Sequence, residues 1–287
     1  MASQDQVKTT VYTPDSSLAN PFTMGRAMIG DLWEGRELAW RLTVRDISAQ
    51  YRQSLLGILW ALILPLANTA VWLFLNGSGI VTIQDTAIPY PVYVFAGTML
   101  WAIFMDSINA PMGQTSSARA MLAKLNFPRE ALLLAGVYKT LFNAAIKIGL
   151  LLLILPFFKV NPGWGLAWFP MGVLSLVLAG TAIGLFITPV GMLYSDVGRA
   201  LPLVRQFLMY VTPVVFPMPK GGGLVAKVFV LNPVTPLIIN ARAWLTGQSP
   251  EFFAYFVGVN LVALGLLFVS WVGYRLSMPI LIERMSA

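Results

Sequence analysis

The segment WFPMGVLSLVLAGTAIGLFITPVGMLY, from Trp168 to Tyr194, contains no charged side chain. A bilayer hydrocarbon core about 30 Å thick requires roughly 20 apolar residues in a helix, so this stretch reads as a membrane span. Just upstream, ALLLAGVYKTLFNAAIKIGLLLLILPFF, Ala131 to Phe158, is comparably long and apolar but holds two lysines. Further stretches of this kind run from Gly57 to Asn76, Pro91 to Gly113, Leu201 to Pro217 and Phe252 to Tyr274. The expectation is an all-α integral membrane protein of six transmembrane helices. Between the last two, Pro217 to Pro250 is rich in Gly and Pro and reads as loop plus short re-entrant helices. Such backbone is tolerated at membrane depth only where it is buried in protein or lines water.

Composition agrees. Of 287 residues 57% are apolar and 11% charged, with a mean hydropathy of +0.73, whereas a soluble domain carries about a quarter charged residues. This composition argues against a water-soluble enzyme. With no cysteine and no histidine, disulfides, thiolate nucleophiles, zinc sites built on Cys or His and imidazole bases are excluded, and no metal site is expected. The net charge of +7 does not form a nucleic-acid-binding domain, because the basic residues flank apolar runs.

Their distribution orients the chain. Lys8, Arg26, Arg36, Arg41, Arg45, Arg52, Arg119, Lys124, Arg129, Arg199, Arg205, Arg275 and Arg284 fall on one side of the six-span scheme, and only Lys159, Lys220, Lys227 and Arg242 on the other. The positive-inside bias then places both termini in the cytoplasm. The first 30 residues are polar and lack the apolar core of a signal peptide. They read as an extended cytoplasmic arm with a turn at Asn20-Pro21, leaving the first span as the targeting signal. No internal repeat is visible.

From Asp31 to Leu55, Trp33, Trp40, Val44, Ile47, Tyr51 and Leu55 share one stripe at about 100° per residue, edged by Arg41, Arg45 and Arg52. This predicts an amphipathic helix in the cytoplasmic interface, its arginines among phosphates. It serves either as an anchor for the first span or as a contact for an anionic lipid-linked substrate, since guanidinium forks suit phosphate oxygens.

Lys139 and Lys147 sit inside the third expected span, about 12 and 24 Å from a helix start at Ala131, where a lysine costs about 2.5 to 3.5 kcal/mol. Asp106 lies at a depth comparable to Lys139, which predicts an Asp106–Lys139 pair. Lys147 is too deep to reach the interface easily, and faces either packing partners or a polar path. Most aromatic residues at span ends read as interface anchors. Trp72, Trp101, Phe104, Phe207 and Tyr210 could instead line a pore on which sugar rings stack. The spacings Gly172 to Gly180 and Gly180 to Gly184 allow close helix packing.

No Gly-x-x-x-x-Gly-Lys-Ser/Thr loop is present, and Gly221-Gly222-Gly223 follows Lys220 with no Lys-Ser/Thr after it. The chain therefore cannot bind and hydrolyse ATP by that route. If transport is ATP-driven, the ATPase is another polypeptide.

One ordered set of residues carries a resemblance. Arg45-Asp46 is followed by Tyr51-Arg52-Gln53-Ser54 and by Leu56-Gly57-x-x-Trp60 leading to Pro65. Then come Tyr90-Pro91-x-Tyr93 with Ala96-Gly97 and Trp101, and Asn126-Phe127-Pro128-Arg129-Glu130. Asp196-Val197, Thr212-Pro213-Val214 and Asn232-Pro233-x-Thr235-Pro236 with Arg242 complete it. From about Arg36 to the C-terminus the chain resembles the permease subunit of polysaccharide-exporting ABC transporters, the ABC-2 type group that moves O-antigen, teichoic acid and capsule polymers. Two departures stand out. The family carries an Arg before the Asp of the loop after span four, where Ser195 stands here with Arg199 nearby, and Lys139 and Lys147 lie outside its motif.

The resemblance implies a homodimer in the cytoplasmic (inner) membrane bound to two ATPase subunits that hold ATP and Mg. Its cargo would be a lipid-linked polysaccharide, most simply of the O-antigen type, moved without chemistry in this chain. It implies a cytoplasmic arm over residues 1–30, an interface helix over 31–55 and a transmembrane domain over 56–287. Within the last, a coupling segment over 114–130 would dock on the ATPase through Arg119, Lys124, Arg129 and Glu130. Tyr194, Asp196 and Arg199 would form a second contact, and 217–250 would cap the outer mouth. Three alternatives stay open: an ABC-2 exporter of a drug or small lipid, an ion-coupled transporter using Asp106 and the lysines, and an intramembrane transferase. The last needs clustered outer acidic residues, where only Asp85 and Glu251 stand.

Overall fold

The computed structural model describes residues 21–52, 56–81, 86–122, 124–125, 127–219, 221 and 223–286. The expected arm as far as residue 20, the Asn20 side of its turn, Gln53 to Leu55 of the interface helix, Asp85, Asn126 and Lys220 lie outside these. Every regular element among the described residues is a helix: α1 Pro21–Glu34, α2 Arg36–Arg52, a 3-10 turn Gly57–Leu59, α3 Trp60–Gly77, α4 Tyr90–Ser117, α5 Arg119–Leu122, α6 Glu130–Phe157, α7 Gly165–Leu193, α8 Ser195–Tyr210, α9 Leu224–Leu231, α10 Val234–Thr246 and α11 Phe253–Ser286.

Four helices, α4, α6, α7 and α11, are long and apolar enough to cross a membrane, and α9 with α10 makes a fifth crossing only if this pair, bent by 77°, counts as one. The chain is thus a multi-pass helical membrane protein, with four to five candidate spans by length and composition among the described residues. The span expected from Leu201 to Pro217 is replaced by α8, which begins earlier, carries Asp196, Arg199 and Arg205, and stops at Tyr210. Thr212 precedes Pro213, whose ring disfavours helical backbone in the residue before it. Two other expectations also change at the start of the chain. Pro21 to Glu34 is helical where an extended arm is expected to residue 30, and the interface helix is divided at Gly35. A side chain there would press on the Asp31 carbonyl and on Ala131 of α6, so glycine lets the two segments fold against α6.

The helices share two ends. At one, the turn after α8 lies against Tyr93 and Gly97 near the start of α4, and α10 packs on Gly165 and Gly172 at the start of α7. At the other, Thr115 near the end of α4 hydrogen-bonds Tyr274 of α11 at 3.1 Å, and Gly191 of α7 abuts Met112. So α4, α7 and α11 run one way, and α6 returns between them. Gly180 and Gly184 let α7 approach the backbone of α4 at Phe104 and Ile108, and Gly172 lets it approach Ala241 of α10, as the small-residue spacing predicts.

Burial follows the logic of a protein in lipid. The central helix α4 is 83% buried over its apolar window, whereas α6 and α11 are 22% and 17% buried over theirs and are the more apolar of the three. Apolar side chains such as Leu153, Phe157, Leu261 and Val262 point outward. A surface this apolar is stable against acyl chains and not against water.

Candidate functional site

At the α5 end, Arg275 of α11 is held between two carboxylates, Asp31 of α1 and Glu130 at the start of α6, each at 2.6 Å. All three are largely withdrawn from solvent. Around them Ala39, Leu42, Ala118, Leu122, Ala131, Met278 and Leu281 pack as one cluster. The connection from α4 to α6 is therefore clamped by its own flanks, while Arg119 and Lys124 stay exposed. Glu130, expected to dock on a partner, turns inward to Arg275 because a buried carboxylate requires a cation. Arg129 is half-buried. At the same end Tyr194, Asp196 and Arg199 are exposed, with Arg199 bonded to Asp196 at 3.3 Å. Arg41 pairs with Glu37 at 2.7 Å, Arg45 pairs with Asp46 at 2.8 Å, and Arg52 is exposed. The apolar stripe of the expected interface helix, Trp33, Trp40 and Val44, faces outward, and Ala39, Leu42 and Thr43 face the protein.

Deeper in the bundle, Asp106 of α4 accepts from Lys147 of α6 at 2.5 Å, and not from Lys139 as expected. The reason is side-chain direction. Helical side chains lean toward the N-terminus of their helix, so Lys147 reaches back toward the α5 end while Asp106 of antiparallel α4 leans away from it. Lys139 instead lines a polar cleft of about 630 Å³ between α2, α4 and α6. Asp106 also acts across this cleft on Tyr51 of α2, whose hydroxyl pKa is raised first by burial and then by that negative charge.

The aromatic path candidates divide. Trp101 and Phe104 are buried, their rings 5.7 Å apart, so they belong to the core of the chain and line no passage within it. Trp72 of α3 packs edge-on against Phe216 at 5.2 Å. Phe207 and Tyr210 stand exposed on α8 with Leu203 and Val204.

At the opposite end sits a group whose role is not legible in the sequence. Arg242 of α10 is buried, donates to the Pro213 carbonyl at 2.8 Å and to the Tyr93 hydroxyl at 2.7 Å, and lies 3.6 Å from the centre of the Tyr93 ring. Asn232 donates to Val211 and Thr212 of the same turn, and a side chain at Gly97 would overlap Val214. The turn after α8 is thus fixed from α4, from α10 and from Asn232 between α9 and α10. The available signal was a lone arginine in an apolar helix, which must find partners when buried.

These features define a helical membrane protein with an exposed charged connection at one end, a pinned turn at the other and an intramembrane polar cleft. No family model matches the chain. Across most of its length it is similar to polysaccharide-export permeases, as its motifs indicate. The O-antigen export system permease protein RfbA of Myxococcus xanthus is 25% identical over 75% of this chain and 83% of that protein. RfbA of Klebsiella pneumoniae is 20% identical over 82% and 91%, and the polysialic acid transport protein KpsM of Escherichia coli 22% identical over 82% and 90%.

Proposed function

We propose that this chain is the membrane-spanning subunit of an ATP-driven exporter that carries a lipid-linked polysaccharide, of the O-antigen type, across the cytoplasmic membrane. The observation that carries the reading is alignment with O-antigen and polysialic acid export permeases over some four-fifths of the chain. A drug or small-lipid cargo is not favoured, since none of these relatives is named for one. The lack of a Walker-type phosphate loop in the sequence supports a reading in which ATP and Mg are held by a separate subunit.

The α5 end, with Arg119, Lys124 and Arg199, is the cytoplasmic one by the positive-inside bias. Both the start of α1 and the end of α11 then lie on that side. Six passes result if α3 and α8 cross together with α4, α6, α7 and α11. This is supported by the course of α8, from the end holding Tyr194 to the turn held by Arg242. Helices α9 and α10 stay at the outer end as a cap, and α2 lies in the inner interface with Arg41, Arg45 and Arg52 among phosphates. Two copies form the conduit, with the exposed faces of α8, including Phe207 and Tyr210, toward the passage.

Two ATPase subunits dock on Arg119, Lys124, Arg129 and the Tyr194 to Arg199 turn. ATP binding moves these turns. Because Leu122 of α5 packs in the apolar cluster around the Arg275 node, which ties α11 to α6 and α1, the displacement tilts whole spans and shifts a gating equilibrium. Deleting the gene in a polymer-producing strain tests the reading. Surface polymer is lost and polymer accumulates inside, and both are restored by this chain together with its co-encoded ATPase. Unchanged surface polymer refutes it.

A further inference from the structure

The cleft between α2, α4 and α6 has no assigned role. Its walls follow helical periodicity. On α4, Asp106, Asn109, Gly113, Gln114 and Ser117 fall on one stripe, about 16 Å long at 1.5 Å per residue. On α6, Lys139, Thr140 and Asn143 face the same space, and Asp46 and Gln50 close it from α2. Polar stripes inside spans are costly and are retained for function. The volume of about 630 Å³ falls within the roughly 300 to 1,000 Å³ of small-molecule sites.

The lining selects the ligand. No aromatic residue lines the cleft, so rings are not held there by stacking. Its side chains are mainly carboxamides, hydroxyls and carboxylates, and carboxamides both donate and accept, as the hydroxyls of a sugar do. Among the described residues the side chains of Gln50, Lys139 and Asn143 make no hydrogen bond within the chain, whereas Asp46 accepts from Gln114 at 3.0 Å and Asp106 from Lys147. Asp46 and Asp106 are paired with Arg45 and Lys147, which leaves Lys139 as a cation without a carboxylate partner among the described residues.

We infer that this cleft binds the glycosyl phosphate end of the exported polymer: the first sugars on the carboxamides of Gln50 and Asn143, and the anionic linkage on Lys139. The inference rests on the exporter reading and gives its cargo a seat at the inner end of the bundle. Sugars sit there by hydrogen bonds, at a place distinct from the aromatic face of α8.

The chain contains no cysteine, so a single thiol reports on the cleft. Ala49→Cys in the full chain, reconstituted with its ATPase in phosphatidylcholine nanodiscs, is modified by a water-soluble methanethiosulfonate. Undecaprenyl diphosphate carrying a trisaccharide slows this labelling, and unglycosylated undecaprenyl diphosphate does not. Adding Gln50→Ala and Asn143→Ala removes two hydrogen bonds and raises the concentration needed for protection about tenfold, with the melting temperature as the control for folding. Equal protection by the unglycosylated carrier, or protection by neither, overturns the inference. Polymer export by Ala49→Cys in vesicles, measured in parallel, separates the two readings. Export without protection removes the cleft site alone, and absence of export by the unmutated complex removes the exporter reading.

Discussion

The ammonium of Lys147 donates to the carboxylate of Asp106 at 2.5 Å and joins α6 to α4 inside the bundle. Lys147 keeps 13% of its side chain exposed and Asp106 39%, so the pair lies at the edge of the polar cleft and water screens part of it. Two charges that would each be costly alone in an apolar span become tolerable together.

Breaking this pair from one side leaves an uncompensated charge. Asp106→Ala and Lys147→Ala are each expected to lower stability by about 1 to 2 kcal/mol, a figure reduced for the exposure of Asp106. The double variant is expected to lose clearly less than the sum. The same cycle with Lys139→Ala in place of Lys147→Ala is expected to be additive. Thermal unfolding in detergent of the full set checks both statements.

Arg242 is the most deeply buried cation described, and its partners are the Pro213 carbonyl, the Tyr93 hydroxyl and the Tyr93 ring. Arg242→Ala is expected to cost about 3 kcal/mol, because it leaves buried acceptors unsatisfied. Arg242→Lys is expected to recover little, since a compact ammonium cannot reproduce a planar fork lying on a ring. Limited proteolysis at the turn after α8 and thermal unfolding read the outcome. Rescue by lysine would argue that charge alone matters there.

Close approach of α7 to α4 depends on Gly184, where a side chain would overlap the backbone of Ile108. Gly184→Ala is therefore expected to destabilise by about 1 to 3 kcal/mol through overpacking. Gly149 meets nothing at its open side, and Gly149→Ala is expected to be neutral or slightly stabilising by helix propensity. Comparing the melting temperatures of the two variants tests the packing.

At the α5 end the buried ion pairs and the docking proposed for the exposed basic residues give different expectations. Arg275→Ala and Glu130→Ala are expected to lower the melting temperature, because each leaves a partner buried without its counter-charge. Reversing Arg119 and Lys124 to glutamate is expected to weaken capture of the ATPase subunit with the melting temperature unchanged. Pull-down with the co-encoded ATPase together with unfolding of the isolated chain discriminates the two effects. Normal capture by the reversed variant would place the docking surface elsewhere.

Apolar runs were legible because a span must hide its backbone within its own length, so α4, α6, α7 and α11 follow from hydropathy alone. The glycine contacts of α7 were legible for the same reason, since only small residues at helical spacing permit them. The bounds of the fifth expected span shift, because apolar residues run on to Pro213 and beyond while α8 begins at Ser195 and stops at Tyr210, and the residue before a proline disfavours helix. Depth counting paired Asp106 with Lys139, and the lean of side chains toward the helix N-terminus selects Lys147. The inward turn of Glu130 depends on Arg275, far away in sequence. Likewise the role of Arg242 depends on carbonyls of a turn, and neither relationship leaves a local pattern. Of the polar walls of the cleft on α4 and α6 only Asp106 and Lys139 were legible in the sequence, and only the fold brings α2 across it.

The central claim is that this chain is a passage driven from outside itself. Proteoliposomes containing the chain with the proposed partner ATPase should translocate a lipid-linked polysaccharide in an ATP-dependent manner, read as access of a membrane-impermeant glycosidase or lectin. Vesicles with either polypeptide alone should translocate none. Transport by this chain alone, or by the complex without ATP, would contradict the account.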